Sequence, residues 1–297
     1  MKLEDYEKIV INGKTRTCGL LGNPVEHTMS PVIHNNLAAV TGQNLVYLPF
    51  HVPTGYVGDA VKGALALNLL GLNVTVPYKS DVLPFLAEID PLAKRIGAVN
   101  TLVRCEGGFK GYNTDMPGLY RAMQHDGVEV AGRDVIILGA GGVARAVAML
   151  LLEKGSRHVY ILNRSLERAK AVAEEVASFT ENKDFIQAMA LEDYKKLPQD
   201  QKYLVIQATS VGMHPNVEDV VISDPEFYQL VDTGYDLIFT PMNTKFMQLC
   251  KQYGARAFHG YRMLLYQGVI AYELWTGTSI SDELAEAVYE KMLEALK

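Results

Sequence analysis

The segment Asp134-Val-Ile-Ile-Leu-Gly-Ala-Gly-Gly-Val-Ala-Arg145 decides the fold of one half of this chain. A short apolar run ends in a glycine-rich turn, and a helical pattern begins at once. The spacing Gly139-x-Gly141-x-x-Ala144 matches the first strand-to-helix turn of a dinucleotide-binding domain. In such a turn the first glycine permits the bend, the second admits a pyrophosphate, and the small third residue lets helix and strand pack closely. The segment predicts a nucleotide site, although similar turns also occur without a ligand.

The residues that follow the next apolar run favour one nucleotide. The run His158-Val-Tyr-Ile-Leu162 ends about 20 residues beyond the glycines, where an NAD enzyme places an acid on the ribose 2′-hydroxyl. This chain has Asn163 and Arg164 there, with Arg168 one helical turn further on. Guanidinium groups can form paired hydrogen bonds with a 2′-phosphate. Cations at the start of a helix are unfavourable unless an anion is bound there. We therefore expect NADP rather than NAD. The alternative is that Arg164 and Arg168 are solvent-exposed residues that bind no ligand.

Composition narrows the class of protein. The chain has 297 residues, 48% of them hydrophobic, which suffices for a packed core and suggests two domains. A net charge of −6 without a dense basic patch argues against a nucleic-acid partner. Three distant cysteines without a CxxC spacing favour reduced thiols and a cytoplasmic protein. We expect no signal peptide, no membrane span and no metal site.

Strand and helix patterns alternate in two stretches, which predicts an α/β fold with mainly parallel sheets. In the first stretch the strand-like runs are residues 16–21, 45–50, 71–76 and 98–103, and the helical runs are about 31–41, 56–68 and 79–95. In the second stretch the strand-like runs are near residues 134–139, 158–162, 203–208, 235–239 and 255–258.

The predicted domains are an N-terminal α/β domain, residues 1–116 and 260–297, and a Rossmann-like domain, residues 117–259. Two C-terminal helices, Tyr261–Thr276 and Ser281–Lys297, should pack back onto the first domain, with Ser279 or Ser281 as the cap of the last one. A cleft between two such lobes is where we expect the ligands.

Polar residues stand at several strand ends where a core would be apolar. The segments are Asn23-Pro-Val-Glu-His-Thr-Met-Ser-Pro31, Asn73-Val-Thr-Val-Pro-Tyr-Lys79, Ala98-Val-Asn-Thr101 and Gly111-Tyr-Asn-Thr-Asp115. Alone, each has an ordinary structural explanation. Lys79 would be an exposed lysine, Asn100 a satisfied amide within a strand, Asp115 an N-cap, and Ser30 an N-cap before Pro31 at the first helical position.

In their order along the chain, these segments resemble the signature of the shikimate dehydrogenase family. Further matching segments are Gly97-Ala-Val-Asn-Thr101, the Gly-Ala-Gly-Gly turn, Asn163-Arg164, Ala208-Thr-Ser-Val-Gly-Met213, Tyr235-Asp236 and Met263-Leu-Leu-Tyr-Gln267. The resemblance implies a two-domain enzyme that reduces 3-dehydroshikimate to shikimate with NADPH, a step in aromatic amino acid and chorismate biosynthesis.

The resemblance also implies roles for individual residues. Lys79 and Asp115 would form the catalytic pair, since hydride addition to a ketone develops an alkoxide that needs a proton from a nearby acid. The residues implied to bind substrate are Thr28, Ser30, Thr75, Asn100 and Gln267. The residues implied to bind NADP are Gly139, Ala140, Gly141, Gly142, Val143, Asn163, Arg164, Ser165, Arg168, Thr209, Ser210 and Met213.

Five features depart from the family pattern and keep alternatives open. They are Thr28 for Ser, Phe239 for a substrate-contacting Tyr, Gln207 for Asn, Met116-Pro117 after Asp115 where Gly is frequent, and His259-Gly-Tyr-Arg262 for Asp-Gly-Leu. A quinate/shikimate dehydrogenase with broader substrate or NAD use is one alternative. A non-catalytic sensor of a shikimate-like ligand is another, although the retained catalytic pair and cofactor turn argue against it. The sequence leaves open whether the protein is a monomer or a homodimer.

Overall fold

The computed structural model describes residues 11–296, which divide into two compact units. Unit 1 contains the chain up to Leu119 and again from Leu264, and unit 2 runs from Tyr120 to Met263. Each unit is built on one six-stranded sheet. The boundaries fall inside two helices, α4 (Asp115–His125) and α9 (Tyr261–Thr276), so each of these helices contributes residues to both units.

The sheet of unit 1 is mixed. Its strands are β1 (Arg16–Gly22), β2 (Leu45–His51), β3 (Gly71–Val74), β4 (Glu88–Ile89), β5 (Thr101–Cys105) and β6 (Gly108–Tyr112). The spatial order is β2–β1–β3–β5–β6–β4. β1 is parallel to β2 and β3, whereas β5 is antiparallel to both β3 and β6. The parallel part of the sheet therefore continues into a hairpin.

The prediction of a helix over residues 79–95 was wrong. A 3₁₀ turn at Leu83–Phe85, the short β4 and α3 (Pro91–Ile96) take its place. Pro84 cannot donate an intrahelical hydrogen bond, which breaks the helical pattern. Asp90 then starts a new helix, because its side chain accepts from the Leu92 amide at 2.9 Å ahead of Pro91.

The hairpin of unit 1 also differs from the prediction. The strand predicted over 98–103 begins only at Thr101, so Asn100 lies just before β5 rather than within a strand. β6 was not predicted. The turn between the two strands contains Gly107 at φ +79, a conformation that glycine adopts readily and that suits a tight hairpin.

The helices of unit 1 include α1 (Ser30–Val40), α2 (Val57–Ala66) and α10 (Asp282–Glu294). α10 packs against α1, and Trp275 of α9 donates to the Leu102 carbonyl at 2.9 Å. α9 thus contacts the first sheet and α10 contacts α1, so both C-terminal helices pack onto unit 1, as predicted. Ser281 caps α10 by accepting from the Leu284 amide at 3.3 Å, which settles the choice between Ser279 and Ser281.

β2 is the edge strand of this sheet within the described part of the chain. The Tyr47 amide donates to Asn35 Oδ1 at 2.8 Å, and Asn35 Nδ2 donates to the Tyr47 carbonyl at 3.1 Å. The side chain of Asn35, from α1, therefore pairs both backbone groups of Tyr47. These are groups that an edge strand would otherwise leave open.

The sheet of unit 2 is entirely parallel. Its strands are β7 (Asp134–Leu138), β8 (His158–Asn163), β9 (Ile186–Ala190), β10 (Tyr203–Gln207), β11 (Val231–Asp236) and β12 (Arg256–His259). The order is β12–β11–β10–β7–β8–β9. This is the doubly wound order of a Rossmann-type sheet, with the switch point between β7 and β10. Its helices are α5 (Gly142–Glu153), α6 (Leu166–Ala177), α7 (Pro225–Gln229) and α8 (Lys245–Gln252).

Two strands of unit 2 correct the predictions. β9 was not predicted, because its sequence Ile-Gln-Ala-Met-Ala is poor in β-branched and aromatic residues. β11 was predicted at 235–239 but occupies Val231–Asp236. Its first residues, Val-Asp-Thr-Gly, lack an apolar run, yet Thr233 and Gly234 are buried in the sheet.

Three further predictions concern membrane spans, metal sites and the cysteines. No helix among residues 11–296 is both long and apolar enough to cross a bilayer. In the same part of the chain, no group of three His, Cys, Asp or Glu side chains could hold a metal ion. Cys18, Cys105 and Cys250 are free thiols, and burial raises the pKa of Cys18 to about 12.

Candidate active site

Lys79 and Asp115 meet in unit 1 although 36 residues separate them in the chain. Lys79 follows the end of β3, and Asp115 is the first residue of α4. Lys79 Nζ donates to Asp115 Oδ2 at 2.7 Å, and both side chains are partly accessible. The Asp115 amide donates to Asn113 Oδ1 at 3.1 Å, which holds the start of the helix. An ammonium group is thus fixed at the surface by a carboxylate.

Asn100 holds the other carboxylate oxygen of Asp115. Asn100 Nδ2 donates to Asp115 Oδ1 at 2.8 Å, and Asn100 Oδ1 accepts from the Thr114 amide at 2.8 Å. The Asn100 side chain is buried, so both of its ends are committed to neighbours. The amide is therefore a satisfied core group and an orienting partner of Asp115 at the same time.

A buried chain of hydrogen bonds continues from Asn100 into the sheet. Thr101 Oγ1 donates to Asn100 Oδ1 at 3.1 Å, and Asn73 Nδ2 donates to Thr101 Oγ1 at 3.1 Å. Tyr47 Oη donates to Asn73 Oδ1 at 2.8 Å. Sequence reasoning singled out Asn73 without a role and missed Thr101 and Tyr47. The antiparallel pairing of Asn73 with Thr101 brings them together, and that pairing was not predicted.

Thr28 and Ser30 lie side by side at the start of α1. Their hydroxyl groups are 3.1 Å apart, and the Ser30 amide donates to Thr28 Oγ1 at 3.2 Å. The prediction that Ser30 caps this helix was wrong. Met29 is the cap residue and Ser30 is already helical, and no side chain caps the helix. The Ser30 hydroxyl therefore has no capping role; it is buried beside the Thr28 hydroxyl and close to that of Tyr47.

Thr75 and Gln267 lie in unit 1 without a side-chain hydrogen bond to Lys79 or Asp115 among the described residues. Gln267 Nε2 donates to the Leu264 carbonyl at 2.9 Å. A Cβ on Gly118 would lie 2.6 Å from the Gln267 amide nitrogen, so α4 and α9 touch backbone to backbone there. Sequence reasoning missed Gly118, whose missing side chain sets the place of Gln267.

The glycine turn of unit 2 has one crowded position and two open ones. Gly139 has φ +114, and a Cβ there would lie 2.7 Å from Thr209 Cγ2. A Cβ on Gly141 or Gly142 would meet no atom within 4 Å. The fully buried Ala144 follows in the first turn of α5. Space therefore remains above the N-terminus of α5, where backbone N–H groups and the helix dipole favour an anion.

The start of α6 carries the arginines predicted for a 2′-phosphate. Ser165 caps the helix by accepting from the Arg168 amide at 3.4 Å, and Asn163 Nδ2 donates to the Ser165 carbonyl at 2.9 Å. Arg164 and Arg168 are exposed, and neither guanidinium has an acidic partner among residues 11–296. Lys170 on the same helix pairs with Glu167 at 3.0 Å.

The loop after β10 is held from beneath by buried polar groups. Gln207 Oε1 accepts from the Thr209 amide at 2.6 Å and from its hydroxyl at 2.7 Å. Asp236 is fully buried and accepts from the Thr244 hydroxyl at 2.6 Å. Burial raises the pKa of Asp236 to about 6. Ser210 and Met213, also predicted for the cofactor, are exposed on this loop.

Two of the departures from the family pattern have a defined place in unit 2. Phe239 is 41% exposed, with its ring centroid 6.5 Å from that of Tyr261. Arg262 is mostly buried, with its Nε 3.5 Å from Asp126 Oδ1. His259 Nδ1 accepts from the Tyr261 amide at 3.1 Å.

Comparison with known proteins assigns the chain to a family. Residues 20–102 match the substrate-binding domain of shikimate dehydrogenase, residues 122–220 match shikimate/quinate 5-dehydrogenase, and residues 260–297 match the shikimate 5′-dehydrogenase C-terminal domain. A shikimate dehydrogenase (NADP(+)) of Desulforamulus reducens is 41% identical over 288 residues, covering 95% of this chain and 97% of that protein. The chain belongs to the shikimate dehydrogenase family.

Solved structures of the family have the same fold. A shikimate dehydrogenase in complex with NADP⁺ superposes with a TM-score of 0.85 at 34% identity, covering 97% of this chain and 98% of that chain. The Thermus thermophilus enzyme, solved with NADP(H) and shikimate, gives 0.81 at 31% identity, covering 95% and 100%. The α/β fold with a Rossmann-like part, predicted from the sequence, is thereby confirmed.

Proposed function

We propose that this member of the family catalyses the reversible NADPH-dependent reduction of 3-dehydroshikimate to shikimate, a step toward chorismate and the aromatic amino acids. The observation that carries the proposal is the pair Lys79–Asp115 at 2.7 Å in a chain 41% identical to an NADP-dependent shikimate dehydrogenase. Both residues are partly accessible, as groups that meet a substrate must be.

In this proposal Lys79 acts as the general acid. Hydride addition turns the ketone oxygen into an alkoxide, and a proton from Lys79 Nζ converts the alkoxide into the hydroxyl group of shikimate. Asp115 Oδ2 accepts a hydrogen bond from Nζ and so limits the directions in which the ammonium can point. In shikimate oxidation the proton returns to Nζ.

The remaining predicted residues of unit 1 suit a polyhydroxylated carboxylate. Thr28 and Ser30 present two adjacent hydroxyl groups beside the start of α1, and we assign the substrate carboxylate to them. Thr75, Asn100 and Gln267 would bind ring hydroxyl groups. Unit 1 would then be the substrate domain, and unit 2 the NADP-binding domain.

The residues of unit 2 fit NADP. The open space at Gly141 and Gly142 suits a pyrophosphate, and the flanking Ala140 and Val143 complete that turn. Arg164 and Arg168, without acidic partners in the described structure, suit a 2′-phosphate, with Asn163 and Ser165 beside them. The loop residues Thr209, Ser210 and Met213 would border the nicotinamide. When bound, NADPH supplies the hydride.

Assembly and location stay predictions. A homodimer is one of the two states that the sequence leaves open, and light scattering on the purified protein would measure it. Free thiols at all three cysteines suit the predicted cytoplasmic location.

The experiment that tests the proposal measures nicotinamide reduction with shikimate and with quinate, each with NADP⁺ and with NAD⁺. Turnover with shikimate and NADP⁺ in clear excess over the other three combinations is the expected result. Comparable rates with quinate or NAD⁺ would instead establish the broader quinate/shikimate dehydrogenase. Shikimate binding by calorimetry without turnover in any combination would favour the sensor and contradict the proposal.

A further inference from the structure

Tyr47 lies at the far end of the buried hydrogen-bond chain that reaches Asp115. The side chain is 1% exposed, and its ring stacks on His34 with centroids 4.2 Å apart and planes 19° apart. The ring of Trp275 lies 6.0 Å away. The three rings pack against one another, and the Tyr47 hydroxyl donates to Asn73 Oδ1 at 2.8 Å.

Both carboxamides in the chain have one direction, and a backbone group contributes to each: Asn73 Nδ2 also donates to the Asn100 carbonyl at 3.2 Å, and Asn100 Oδ1 accepts from the Thr114 amide at 2.8 Å. Because Tyr47 Oη donates to Asn73 Oδ1, Asn73 Nδ2 faces Thr101 Oγ1 at 3.1 Å. The Thr101 hydroxyl accepts this bond and lies 3.1 Å from both Asn100 Oδ1 and Thr114 Oγ1, to either of which it can donate. Flipping either amide would place donor against donor or acceptor against acceptor.

The Thr114 amide decides which end of Asn100 meets Asp115, and the chain from Tyr47 supports Asn100 through its carbonyl and through Thr101. With its oxygen committed to Thr101 and Thr114, Asn100 can present only Nδ2 to Asp115 Oδ1, which it reaches at 2.8 Å. A reversed Asn100 would place its oxygen against the carboxylate and repel it. The carboxylate that holds Lys79 is therefore oriented from the interior.

We propose that Tyr47 is a positioning residue for the Lys79–Asp115 pair. Its hydroxyl holds Asn73 Oδ1, and Asn73 Nδ2 in turn holds the Thr101 hydroxyl and the Asn100 carbonyl, so this chain fixes where Asn100 meets Asp115. The inference rests on the proposed catalytic role of Asp115. The Tyr47 hydroxyl also lies close to that of Ser30, so the readout at the Asn100 side chain is the one that reports on this chain.

The test removes the Tyr47 hydroxyl alone. Tyr47→Phe keeps the ring packed against His34 and Trp275. Tyr272→Phe is the matched control, because Tyr272 is equally buried in the same unit and its hydroxyl lies 2.6 Å from Thr41 Oγ1, outside the chain. Thr101→Val interrupts the next link with a side chain of nearly the same shape, and it replaces Tyr47→Phe if that variant does not fold.

Two readouts separate positioning from general loss of structure. The first is hydrogen exchange of the Asn100 side-chain amide by NMR, with the signal assigned by its loss in Asn100→Asp. The second is kcat and KM for shikimate and NADP⁺. We expect Tyr47→Phe to speed the exchange roughly tenfold and to lower kcat by about tenfold to a hundredfold, with KM for NADP⁺ unchanged. Tyr272→Phe should change neither quantity.

Unchanged Asn100 exchange in Tyr47→Phe overturns the inference, and so does a kcat equal to that of Tyr272→Phe. Failure of the proposed function is a separate result, seen as absence of turnover by the wild-type protein with shikimate and NADP⁺. In that case only the hydrogen exchange of the Asn100 side-chain amide tests the inference. Faster exchange in Tyr47→Phe than in the wild type supports the positioning role, and equal exchange overturns it.

Discussion

The polar residues of unit 1 and those of unit 2 are arranged in opposite ways. Around Asp115 each polar group is committed to a neighbour, since Asn100 and Lys79 occupy its two oxygens. At the start of α6 in unit 2, Arg164 and Arg168 have no acidic partner within the described residues. The glycine turn likewise leaves open space at Gly141.

The difference follows from what each set of residues is proposed to do. A group that exchanges a proton with a substrate must already have the right direction when the substrate arrives, so its partners belong to the protein. A phosphate supplies the negative charge and the hydrogen-bond acceptors itself, so the residues that bind it need no partner in the protein beforehand. The two units therefore respond differently to the same kind of substitution.

The largest effect is expected at Lys79. Lys79→Met removes the proposed acid but keeps the aliphatic stem, and kcat should fall on the order of 10²- to 10⁴-fold. Lys110→Met is the control, because Lys110 in the same unit makes a surface pair with Glu88 at 3.2 Å. Steady-state kinetics with shikimate and NADP⁺ measure both. Near-normal turnover of Lys79→Met would refute the catalytic pair.

The glycine turn tests whether open space in unit 2 is kept for a ligand. Gly139→Ala should lower the free energy of unfolding by about 2 to 3 kcal/mol, because a Cβ at φ +114 collides with Thr209. Gly141→Ala meets no neighbour and should leave stability nearly unchanged, yet raise KM for NADP⁺ about tenfold. Urea unfolding and kinetics measure the two effects. Equal behaviour of both variants in both assays would contradict this account of the turn.

Two buried titratable groups, one in each unit, should have opposite effects on the stability of the fold as the pH falls. Burial lowers the pKa of His34 in unit 1 from 6.5 to about 3 and raises that of Asp236 in unit 2 from 3.8 to about 6. Below pH 6.5 the unfolded chain binds a proton at His34 and the folded chain does not, so stability is lost. Below pH 6 the folded chain binds a proton at Asp236 and the unfolded chain does not, so stability is gained.

Urea unfolding at about pH 7 and about pH 5 separates these contributions. Between these pH values the free energy of unfolding of the wild type should fall by about 2 kcal/mol because of His34 and rise by about 1 kcal/mol because of Asp236. His34→Leu should abolish the first change, and Asp236→Asn should abolish the second. The difference between the two pH values is the quantity compared, so any constant cost of each substitution cancels. Parallel curves for wild type and both variants would contradict the assignment.

The narrowest effects, confined to one of the two cofactors, are expected at Arg164 and Arg168. Arg164→Ala and Arg168→Ala should each raise KM for NADP⁺ about tenfold and leave KM for NAD⁺ unchanged, because only NADP carries the 2′-phosphate. Lys170→Ala, which removes a cation already paired with Glu167, should change neither value. A parallel rise for both cofactors would show that the arginines do not read the phosphate.

Patterns local to the chain predicted their elements well. The glycine turn of residues 139–144, the helix Tyr261–Thr276 and the cap Ser281 all depend on neighbours within a few residues, and the structure has each of them. The Lys79–Asp115 pair was predicted from resemblance, because no spacing brings together residues 36 positions apart.

What the sequence did not predict depends on long-range pairing. The polar chain from Tyr47 to Asn100 exists because β3 and β5 run antiparallel, and the sequence predicted a mainly parallel sheet there. Gly118 looks like an ordinary helix interior residue, and only its contact with the Gln267 backbone explains it. Ser30 before Pro31 is a typical capping pattern, yet the helix begins one residue earlier.

The bonds between Asn35 and Tyr47 also limit how copies of this protein can associate. An edge strand with free amides and carbonyls is a template on which a second chain can add a strand. At the middle of β2 that template is closed, because one carboxamide occupies both backbone groups of Tyr47. Two copies could pair along β2 only if the Asn35–Tyr47 hydrogen bonds were first broken. The Asn35 side chain therefore disfavours strand addition and aggregation at this edge of the sheet.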